Sequence, residues 1–330
     1  MNDYRHVMIF GELADNGLAS ITKELLSGGK KLAGSLGEEL HALFVGHAIA
    51  DGAAKACEFG ADKAYIVEQE SLATYTGDVH TAVLVQVVEK LKPRILLFGN
   101  SDVGADLGPR LAFRLKQEIA TDCVDLKIED GTKRLLRTKP VYGGLAMSVL
   151  ASDGFPQMAT VRPKSMSPAD RTGLTAEKPI SLEADLGAEP VKVKVVGRMV
   201  EEARGVKLED AEIIVSGGRG IGGPEGFKDL EEMGKLLNGA VGGSRVAVDN
   251  GWIPTSQQVG LTGTIVAPRV YIAIGISGAS QHMTGCSRSQ RIIAINKDAT
   301  APIFKQAHFG VVGDWKNVLP AFIEKLKELG

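Results

Sequence analysis

The sequence has 330 residues, with 38 lysines and arginines against 40 aspartates and glutamates, and 44% of its residues are hydrophobic. This composition excludes wholesale disorder, and the formal net charge of −2 gives no field that would hold a DNA or RNA backbone. The cysteines Cys57, Cys123 and Cys286 form no CxxC pair, which argues against a disulfide framework, a cysteine zinc site or an iron–sulfur cluster.

The first half of the chain alternates short apolar runs with helix-like segments. We predict strands at 6–11, 42–46, 64–67 and 95–99, and helices at 19–32 and 78–91. In the second helix apolar residues recur four apart from Val79 to Leu91, and Pro93 ends it. This alternation predicts a parallel sheet with helices on both faces.

The pattern changes after about residue 120. Segments 126–129 and 191–195 alternate apolar with polar residues, which is typical of antiparallel strands with one solvent-exposed face. Segment 164–190 is rich in Pro, Ala, Asp and Glu, and we interpret it as a loop between those strands.

A second α/β unit begins near residue 201. Its predicted strands are at 212–218, 270–275 and 291–295, and its predicted helices at 227–237 and 315–329. We therefore predict two α/β domains: 1–200, a parallel sheet with added antiparallel strands, and 201–330, a Rossmann- or flavodoxin-like sheet.

The beginning of the chain shows no cationic leader, and no stretch approaches ~18 uninterrupted apolar residues. We therefore expect a cytoplasmic protein without a membrane-spanning segment.

Four strand ends in the second half carry small or polar residues, at 217–224, 243–245, 275–282 and 295–298. In open α/β sheets ligands bind beyond the carboxyl ends of the strands, and helix N-termini offer N–H groups to phosphate. Together these ends predict a ligand crevice.

Each strand end also has a structural alternative. Gly218, Gly220 and Gly223 match G-x-G-x-x-G, but a glycine-rich turn explains them equally well. After Gly275 a short helix is predicted near Ala279, with Gln281 and His282 placed for a ligand; the alternative for His282 is a structural imidazole. An Asx turn is the alternative for 296–298, and a solvated side chain for Arg245.

As a block, these motifs resemble the α subunit of electron transfer flavoprotein. The resemblance rests on 216–220, 243–249, 258–263, 271–282, 293–298, 301–304 and 312–314, and more diffusely on 106–112 and 159–163.

The resemblance implies a heterodimer in which this chain holds FAD in its C-terminal domain. Members of the family carry electrons between dehydrogenases, such as the acyl-CoA dehydrogenases of fatty acid β-oxidation, and a quinone oxidoreductase. Their β subunit holds AMP, or a second FAD in electron-bifurcating members.

The resemblance also assigns roles to individual residues, with neither a catalytic residue nor a metal ligand among them. Arg245, Thr262 and His282 would tune the flavin potential, the positive charge of Arg245 favouring the anionic reduced ring. Gln281, Ser277 and Gly278 would contact the ribityl and pyrophosphate groups, Arg219 and Ser244 other parts of FAD, and Asn296 and Asp314 the adenosine end. The remaining expected contacts are Gln258, Val259, Gly260, Leu261, Gly275, Ala279, Ser280, Asp298 and Trp315.

The sequence departs from the family pattern in a few places. Leu261 stands where many members have Gln, Thr264 where many have Lys, and Ser280 and Cys286 are atypical. Trp315 is bulkier than the common aliphatic residue, and either stacks on the adenine or packs under the closing helix.

Three other functions compete with a simple electron carrier. The first is an electron-bifurcating flavoprotein whose partner subunit oxidises NADH. The second is a nicotinamide-dependent dehydrogenase that uses the glycines around Arg219. The third is an adenine-nucleotide sensor built on the first domain, although its strand ends at Gly11, Gly46 and Gly99 carry single glycines, and we expect that domain to be an assembly surface for the β subunit.

Overall fold

The computed structural model describes residues 3–14, 17–144, 146–185, 193, 195–197 and 206–329. The chain forms two compact units, Met1–Arg198 (unit 1) and Met199–Gly330 (unit 2). Among the described residues, no helix has the length and apolarity that crossing a bilayer requires.

Unit 1 contains twelve strands and four helices among its described residues. The strands are β1 Arg5–Phe10, β2 Leu13–Ala14, β3 Gly17–Leu18, β4 Leu40–Gly46, β5 Lys63–Glu68, β6 Pro93–Gly99, β7 Ile119–Cys123, β8 Asp125–Ile128, β9 Leu135–Val141, β10 Ala146–Leu150, β11 Gln157–Val161 and β12 Ile180–Ser181. The helices are α1 Ser20–Leu36, α2 Ala50–Glu58, α3 Gly77–Leu91 and α4 Asp102–Leu115.

The main sheet of unit 1 is parallel throughout and has the strand order β12-β5-β4-β1-β6-β11-β7. Apolar side chains of successive strand residues point to opposite faces, where α1 and α2 cover one core and α3 and α4 the other. The predicted parallel sheet with helices on both faces is confirmed.

The antiparallel prediction is confirmed at one of its two segments. β8, which holds most of 126–129, pairs antiparallel with β9 in a sheet of order β10-β9-β8. Of 191–195, only Val193 and Val195 belong to the described residues, and neither lies in a strand.

The loop predicted at 164–190 is wrong at β12. Ile180 pairs in parallel with Tyr65 of β5, so this segment returns to the edge of the main sheet. Two residues are too few for a periodic pattern, which explains why the sequence did not reveal the strand. Residues 186–190 lie outside the described ranges.

Unit 2 contains a five-stranded parallel sheet. Its strands are β13 Ile213–Gly217, β14 Ala240–Gly243, β15 Val270–Ile274, β16 Arg291–Asn296 and β17 Phe309–Val312, and its helices α5 Glu225–Leu236, α6 Arg245–Asp249, α7 Ser280–Cys286 and α8 Trp315–Leu329. The strand order is β14-β13-β15-β16-β17, and all pairs are parallel. One core includes residues of α7, and the other includes residues of α5 and α8.

The chain of unit 2 begins in the sheet at β13, moves out to β14 and then crosses to β15 on the other side. Such a reversal of strand order creates a crevice at the carboxyl ends of the central strands, where open α/β sheets bind their ligands. The fold therefore points to the carboxyl ends of β13, β14 and β15.

Candidate functional site

The strand ends singled out in the sequence lie on one edge of the unit 2 sheet. Gly217 is in register with Gly243 on one side and with Ile274 on the other, and Ile274 is in register with Ile295. The segments that follow these residues therefore emerge side by side.

The glycine-rich turn after β13 is packed against the turn after β15. The amides of Gly218 and Gly220 donate to the carbonyls of Ile274 and Gly275, each across 2.9 Å. A Cβ atom on Gly218 would lie 2.4 Å from the Gly275 carbonyl oxygen, so only glycine allows this approach. Because both amides are bonded within the fold, they are not available to a dinucleotide pyrophosphate, which argues against the nicotinamide fingerprint.

Helix α5 begins at Glu225, after Pro224, as the turn interpretation predicts. Arg219 lies exposed on the short turn between this helix and β13.

Segment 258–264 forms one wall of the edge. The Val259 amide donates to Gly243, and the Leu261 amide donates to the Gln281 carbonyl across 2.8 Å. The Gln258 side chain donates to the Thr262 hydroxyl across 3.0 Å. These bonds bring Thr262 and its neighbours next to the start of α7.

Two glycines allow this wall to approach α7 closely. A Cβ on Gly285 would lie 2.4 Å from the Cα of Gly260. Leu261 itself is exposed, so its contribution to a ligand contact is limited to backbone and apolar groups.

His282 is buried where α7 begins, with 7% of its surface exposed. Its Nε2 lies 2.9 Å from the Tyr271 hydroxyl, whereas Nδ1 is buried without a well-formed hydrogen bond to any described residue. Burial lowers the pKa of His282 to about 4, against a smaller opposite effect of hydrogen bonding to the Val259 backbone. The imidazole is therefore neutral near pH 7.

Ser244 and Arg245 lie at the end of β14, on the other side of β13. The Ser244 amide donates to Gly217, but the buried Ser244 hydroxyl has no partner among the described residues, although it stands directly before α6. The Arg245 side chain is 69% exposed, and its Nε lies 3.4 Å from Asp249. Exposed pairs of this kind contribute at most about 1 kcal/mol, so the guanidinium is free to reorient toward a ligand.

The segment between β15 and α7 presents small and polar residues to solvent. Gly278 has φ of +84°, and a Cβ there would lie 2.4 Å from the Ile303 amide nitrogen. Ser277 and Ala279 on this segment are exposed, and so are Ser280 and Gln281, the first two residues of α7.

The polar residues at the end of β16 and beyond it are hydrogen-bonded within the fold. The Asn296 side-chain amide donates to the Ile276 carbonyl across 2.9 Å, and its side-chain oxygen accepts from the Asp298 amide across 3.0 Å. The Asp298 carboxylate accepts from the Thr300 amide and hydroxyl. Asp314 accepts from the Lys316 amide at the start of α8. The structure therefore has the Asx-type turn here, and a ligand would meet these side chains already hydrogen-bonded.

Trp315 packs beneath the edge rather than on it. Its ring is buried, its Nε1 donates to the Gly220 carbonyl across 3.1 Å, and a Cβ on Gly226 would meet the indole at 2.9 Å. This environment favours the packing interpretation over stacking on a base.

Sequence reasoning missed Tyr271, which hydrogen-bonds His282, and Ser216, whose buried hydroxyl faces it. The only signal was a polar residue within each apolar strand.

Unit 1 has a cleft of about 760 Å³ at the carboxyl ends of β1 and β4. Its lining includes Phe10, Glu12 and Phe44. Burial raises the pKa of Glu12, although the Ser101 hydroxyl donates to it across 2.6 Å. A carboxyl group opposes a phosphate, so the cleft gives no support to an adenine-nucleotide sensor.

A polar cluster also lies at the amino edge of the unit 1 sheet. Among the described residues His6, Glu39 and His41 place ligand atoms within 4.8 Å of one another. Lys63 lies 2.7 Å from the Glu39 carboxylate and is the main cause that lowers its pKa to about 2. Because Lys63 already neutralises this carboxylate, the cluster gives no support to a cation site.

Two family models match the chain: the electron transfer flavoprotein domain over residues 7–188, and the electron transfer flavoprotein FAD-binding domain over residues 207–287. Electron transfer flavoprotein subunit alpha of Thermoanaerobacterium thermosaccharolyticum is 42% identical over the whole of both chains. A protein FixB of Clostridium saccharobutylicum is also 42% identical, over 99% of this chain and 98% of that protein. The acryloyl-CoA reductase electron transfer subunit beta of Anaerotignum propionicum is 37% identical, over 99% of this chain and 97% of that protein. This chain therefore belongs to the electron transfer flavoprotein α-subunit family.

Proposed function

We propose that the carboxyl edge of the unit 2 sheet binds FAD, and that the chain, paired with a β subunit, passes electrons between an acyl-CoA dehydrogenase and a downstream acceptor. The observation that carries the proposal is the convergence of Ser244, Thr262 and His282 at the point where the strand order reverses. The second family model spans these three residues.

The unpaired polar atoms at this edge fit such a ligand. The Ser244 hydroxyl and His282 Nδ1 are both buried without a well-formed hydrogen bond among the described residues. Leaving a buried polar group unpaired costs about 1–3 kcal/mol, so native proteins rarely retain one without a use. Oxygen and nitrogen atoms of a flavin would supply the missing partners.

The bound FAD would supply the redox chemistry, and the chain would hold it and adjust its charge. Arg245 would provide a permanent positive charge, which favours added negative charge on a ligand nearby. Thr262 and Gln281 would provide hydrogen bonds from the exposed side of the edge. Ser277, which is exposed, and Gly278 beside it would lie along the segment that leads into α7.

The proposed β subunit suits an exposed edge of unit 1. β10 is an edge strand, and Met147 and Val149 on it are 59% and 58% exposed. Tyr142 just before it is also exposed. Large apolar side chains on an unpaired strand edge are a ready surface for another chain. AMP or a second FAD would lie in that partner.

An acyl-CoA dehydrogenase is the proposed electron donor or acceptor, as in fatty acid β-oxidation. The support is the Anaerotignum propionicum relative, whose name assigns it to an acryloyl-CoA reductase. A quinone oxidoreductase is the second partner that we propose.

The first experiment is to co-express the chain with its β subunit, record the absorbance spectrum and identify the released nucleotides. We expect a flavin spectrum with FAD and AMP. A second FAD together with NADH oxidation would establish the bifurcating variant instead. A purified pair without flavin, or tight NADH binding by this chain alone, would overturn the proposal.

A variant pair localises the site. Thr262→Val should weaken FAD binding about tenfold, the equivalent of one hydrogen bond. Thr172→Val, which removes an exposed hydroxyl bonded to Glu58 in unit 1, should leave it unchanged. Equal affinity in the two variants would remove Thr262 from the site.

A further inference from the structure

Tyr271 and His282 form a buried pair beneath the carboxyl edge of unit 2. Tyr271 lies on β15 and is fully buried, and its hydroxyl lies 2.9 Å from Nε2 of His282. Strand alternation sends Tyr271 to the face that α7 covers, while its neighbour Ile272 points to the opposite core. The pair is therefore fixed by the topology of the sheet and not by a flexible loop.

The proton in this hydrogen bond belongs to one of two donors. A neutral imidazole has one N–H and one acceptor nitrogen, so Nε2 either accepts from the tyrosine or donates to it. If Nε2 donates, the tyrosine hydroxyl needs another acceptor. The groups that face it are the Ser216 hydroxyl and the Cys286 thiol.

Both neighbours allow a tyrosine that donates to the imidazole, and the weak acceptor character of the thiol favours it. Burial raises the pKa of Cys286 to about 12, so the thiol is neutral and a weak acceptor. The Ser216 hydroxyl is buried without a well-formed partner among the described residues, and the lone pairs of the tyrosine oxygen are free to accept its proton. A single chain of donors, from Ser216 through Tyr271 to Nε2, satisfies these groups.

The same arrangement determines the state of the other ring nitrogen. When Nε2 accepts, the proton of the neutral imidazole must reside on Nδ1. Hydrogen bonding to the Val259 backbone raises the pKa of His282, which a carbonyl acceptor does by favouring ring N–H groups. Within the part of the chain that the structure describes, Nδ1 is the nitrogen that has no well-formed partner.

We propose that Tyr271 is a positioning residue that donates to Nε2 of His282 and so holds the proton on Nδ1, ready to bond an acceptor atom of the bound cofactor. The inference rests on the proposed function, because a flavin is the ligand that would provide the acceptor. Tyr271 does not touch that ligand. It acts by fixing the tautomer of His282, the residue that would touch the ligand.

A purely structural role for Tyr271 predicts something different. In that case the tyrosine fills the core, and Tyr271→Phe, which keeps the ring and removes only the hydroxyl, leaves the tautomer of His282 unchanged. The tautomer is therefore the quantity that separates the two roles.

The test is nitrogen NMR on the α–β pair labelled with ¹⁵N-histidine, with and without bound FAD. The chain has 6 histidines, and the His282 signals are assigned from His282→Gln. We expect the proton on Nδ1 in the natural sequence, and a shift toward Nε2–H in Tyr271→Phe, with about tenfold weaker FAD binding.

The matched control is Tyr65→Phe. Tyr65 is a buried tyrosine in unit 1 whose ring centroid lies 5.4 Å from that of His41, so the change removes a tyrosine hydroxyl from another buried ring that packs against an imidazole. It should change neither the His282 signals nor the FAD affinity.

A proton on Nε2 of His282 in the natural sequence would overturn the inference, and this measurement needs no variant to fold. An unchanged tautomer in Tyr271→Phe would overturn it as well. Absence of flavin from the natural pair would overturn the proposed function and remove the ligand that the inference requires, whereas bound flavin with Nε2–H would overturn the tautomer assignment alone.

Discussion

Units 1 and 2 have the same layered architecture, but their carboxyl edges treat polar groups differently. A serine precedes a helix in each: Ser101 before α4 and Ser244 before α6. The Ser101 hydroxyl accepts from the Gly104 amide and donates to Glu12, whereas the Ser244 hydroxyl is buried with no partner among the described residues. These two serines therefore differ in whether the fold itself uses the hydroxyl, a difference that the glycine-ended strands common to both units do not reveal.

The largest effect should come from filling the glycine contacts that shape each edge. A Cβ on Gly104 would lie 2.0 Å from the Gly99 carbonyl oxygen, and one on Gly218 would lie 2.4 Å from that of Gly275. We expect Gly104→Ala and Gly218→Ala each to cost more than about 3 kcal/mol, because backbone atoms on both sides must move. Only Gly218→Ala should release flavin.

Urea unfolding separates the two units in this experiment. Both tryptophans, Trp252 and Trp315, lie in unit 2, so their fluorescence reports that unit, whereas circular dichroism reports both. Gly34→Ala is the control, because nothing lies within 4 Å of the added Cβ, and it should stabilise α1 by up to about 1 kcal/mol. Flavin loss in Gly104→Ala would show that the comparison does not hold.

The next largest effect should be a difference in stability between variants of two arginine–aspartate pairs. Arg162 of unit 1 is nearly buried, and its Nε lies 2.7 Å from Asp122, so Arg162→Ala should cost about 3 kcal/mol by leaving that carboxylate unpaired. Arg245→Ala should change stability by less than about 1 kcal/mol, because its pair with Asp249 is exposed.

In the flavin potential, the same two variants should show the opposite order of effects. We expect Arg245→Ala to lower the flavin potential for the first electron, since a positive charge that favours the anionic ring is removed. Arg162→Ala should leave the potential unchanged. A titration of Arg245→Ala that matches the natural pair would remove Arg245 from its proposed role.

Acid should weaken unit 2 through His282. Its pKa of about 4 in the folded chain is below the ordinary value of 6.5, so the unfolded chain takes up the proton first as the pH falls. The stabilisation is complete above about pH 6.5 and is lost toward pH 4. Between pH 7 and pH 5 we expect a loss of about 2 kcal/mol in the tryptophan-detected unfolding free energy of the flavin-free chain.

His282→Asn should abolish this part of the pH dependence. His80→Asn is the control in unit 1, where burial also lowers the pKa of the imidazole, and it should not alter the tryptophan signal. Equal pH profiles for the natural chain and His282→Asn would contradict the assignment.

The smallest effect should come from the two serines. Ser101→Ala removes a helix cap and should cost about 1 kcal/mol with no change in flavin binding. Ser244→Ala removes a hydroxyl that caps nothing, so we expect unchanged stability and weaker flavin binding. Urea unfolding and a flavin titration measure the two effects; the reverse pattern would undo the comparison between the edges.

Much of the scaffold could be predicted because its strands are continuous apolar runs. β1, β4, β6, β15 and β16 were all recognisable in this way. Helix α4 was missed because Gly104, Gly108 and Pro109 interrupt its pattern, although each glycine allows the helix to lie close to a strand. β10 was missed because most of its side chains are exposed, so burial gave its sequence no periodic pattern.

The candidate site could be predicted only as a set of strand ends. Glycines and small residues indicated where the chain turns, and the parallel topology then places those turns on one edge. The partner of a buried polar group depends on which helix covers which face, and this is why Tyr271 could not be connected to His282 from sequence spacing. Asn296 and Asp298 were correctly suspected of an Asx turn because that interaction is local.

The bond between Trp315 and Gly220 ties the first residue of α8 to the turn that follows β13. This hydrogen bond therefore joins two segments that are 95 positions apart in the chain. A change that displaces the start of α8 would consequently disturb the turn that carries Arg219, although the two segments are far apart in the sequence.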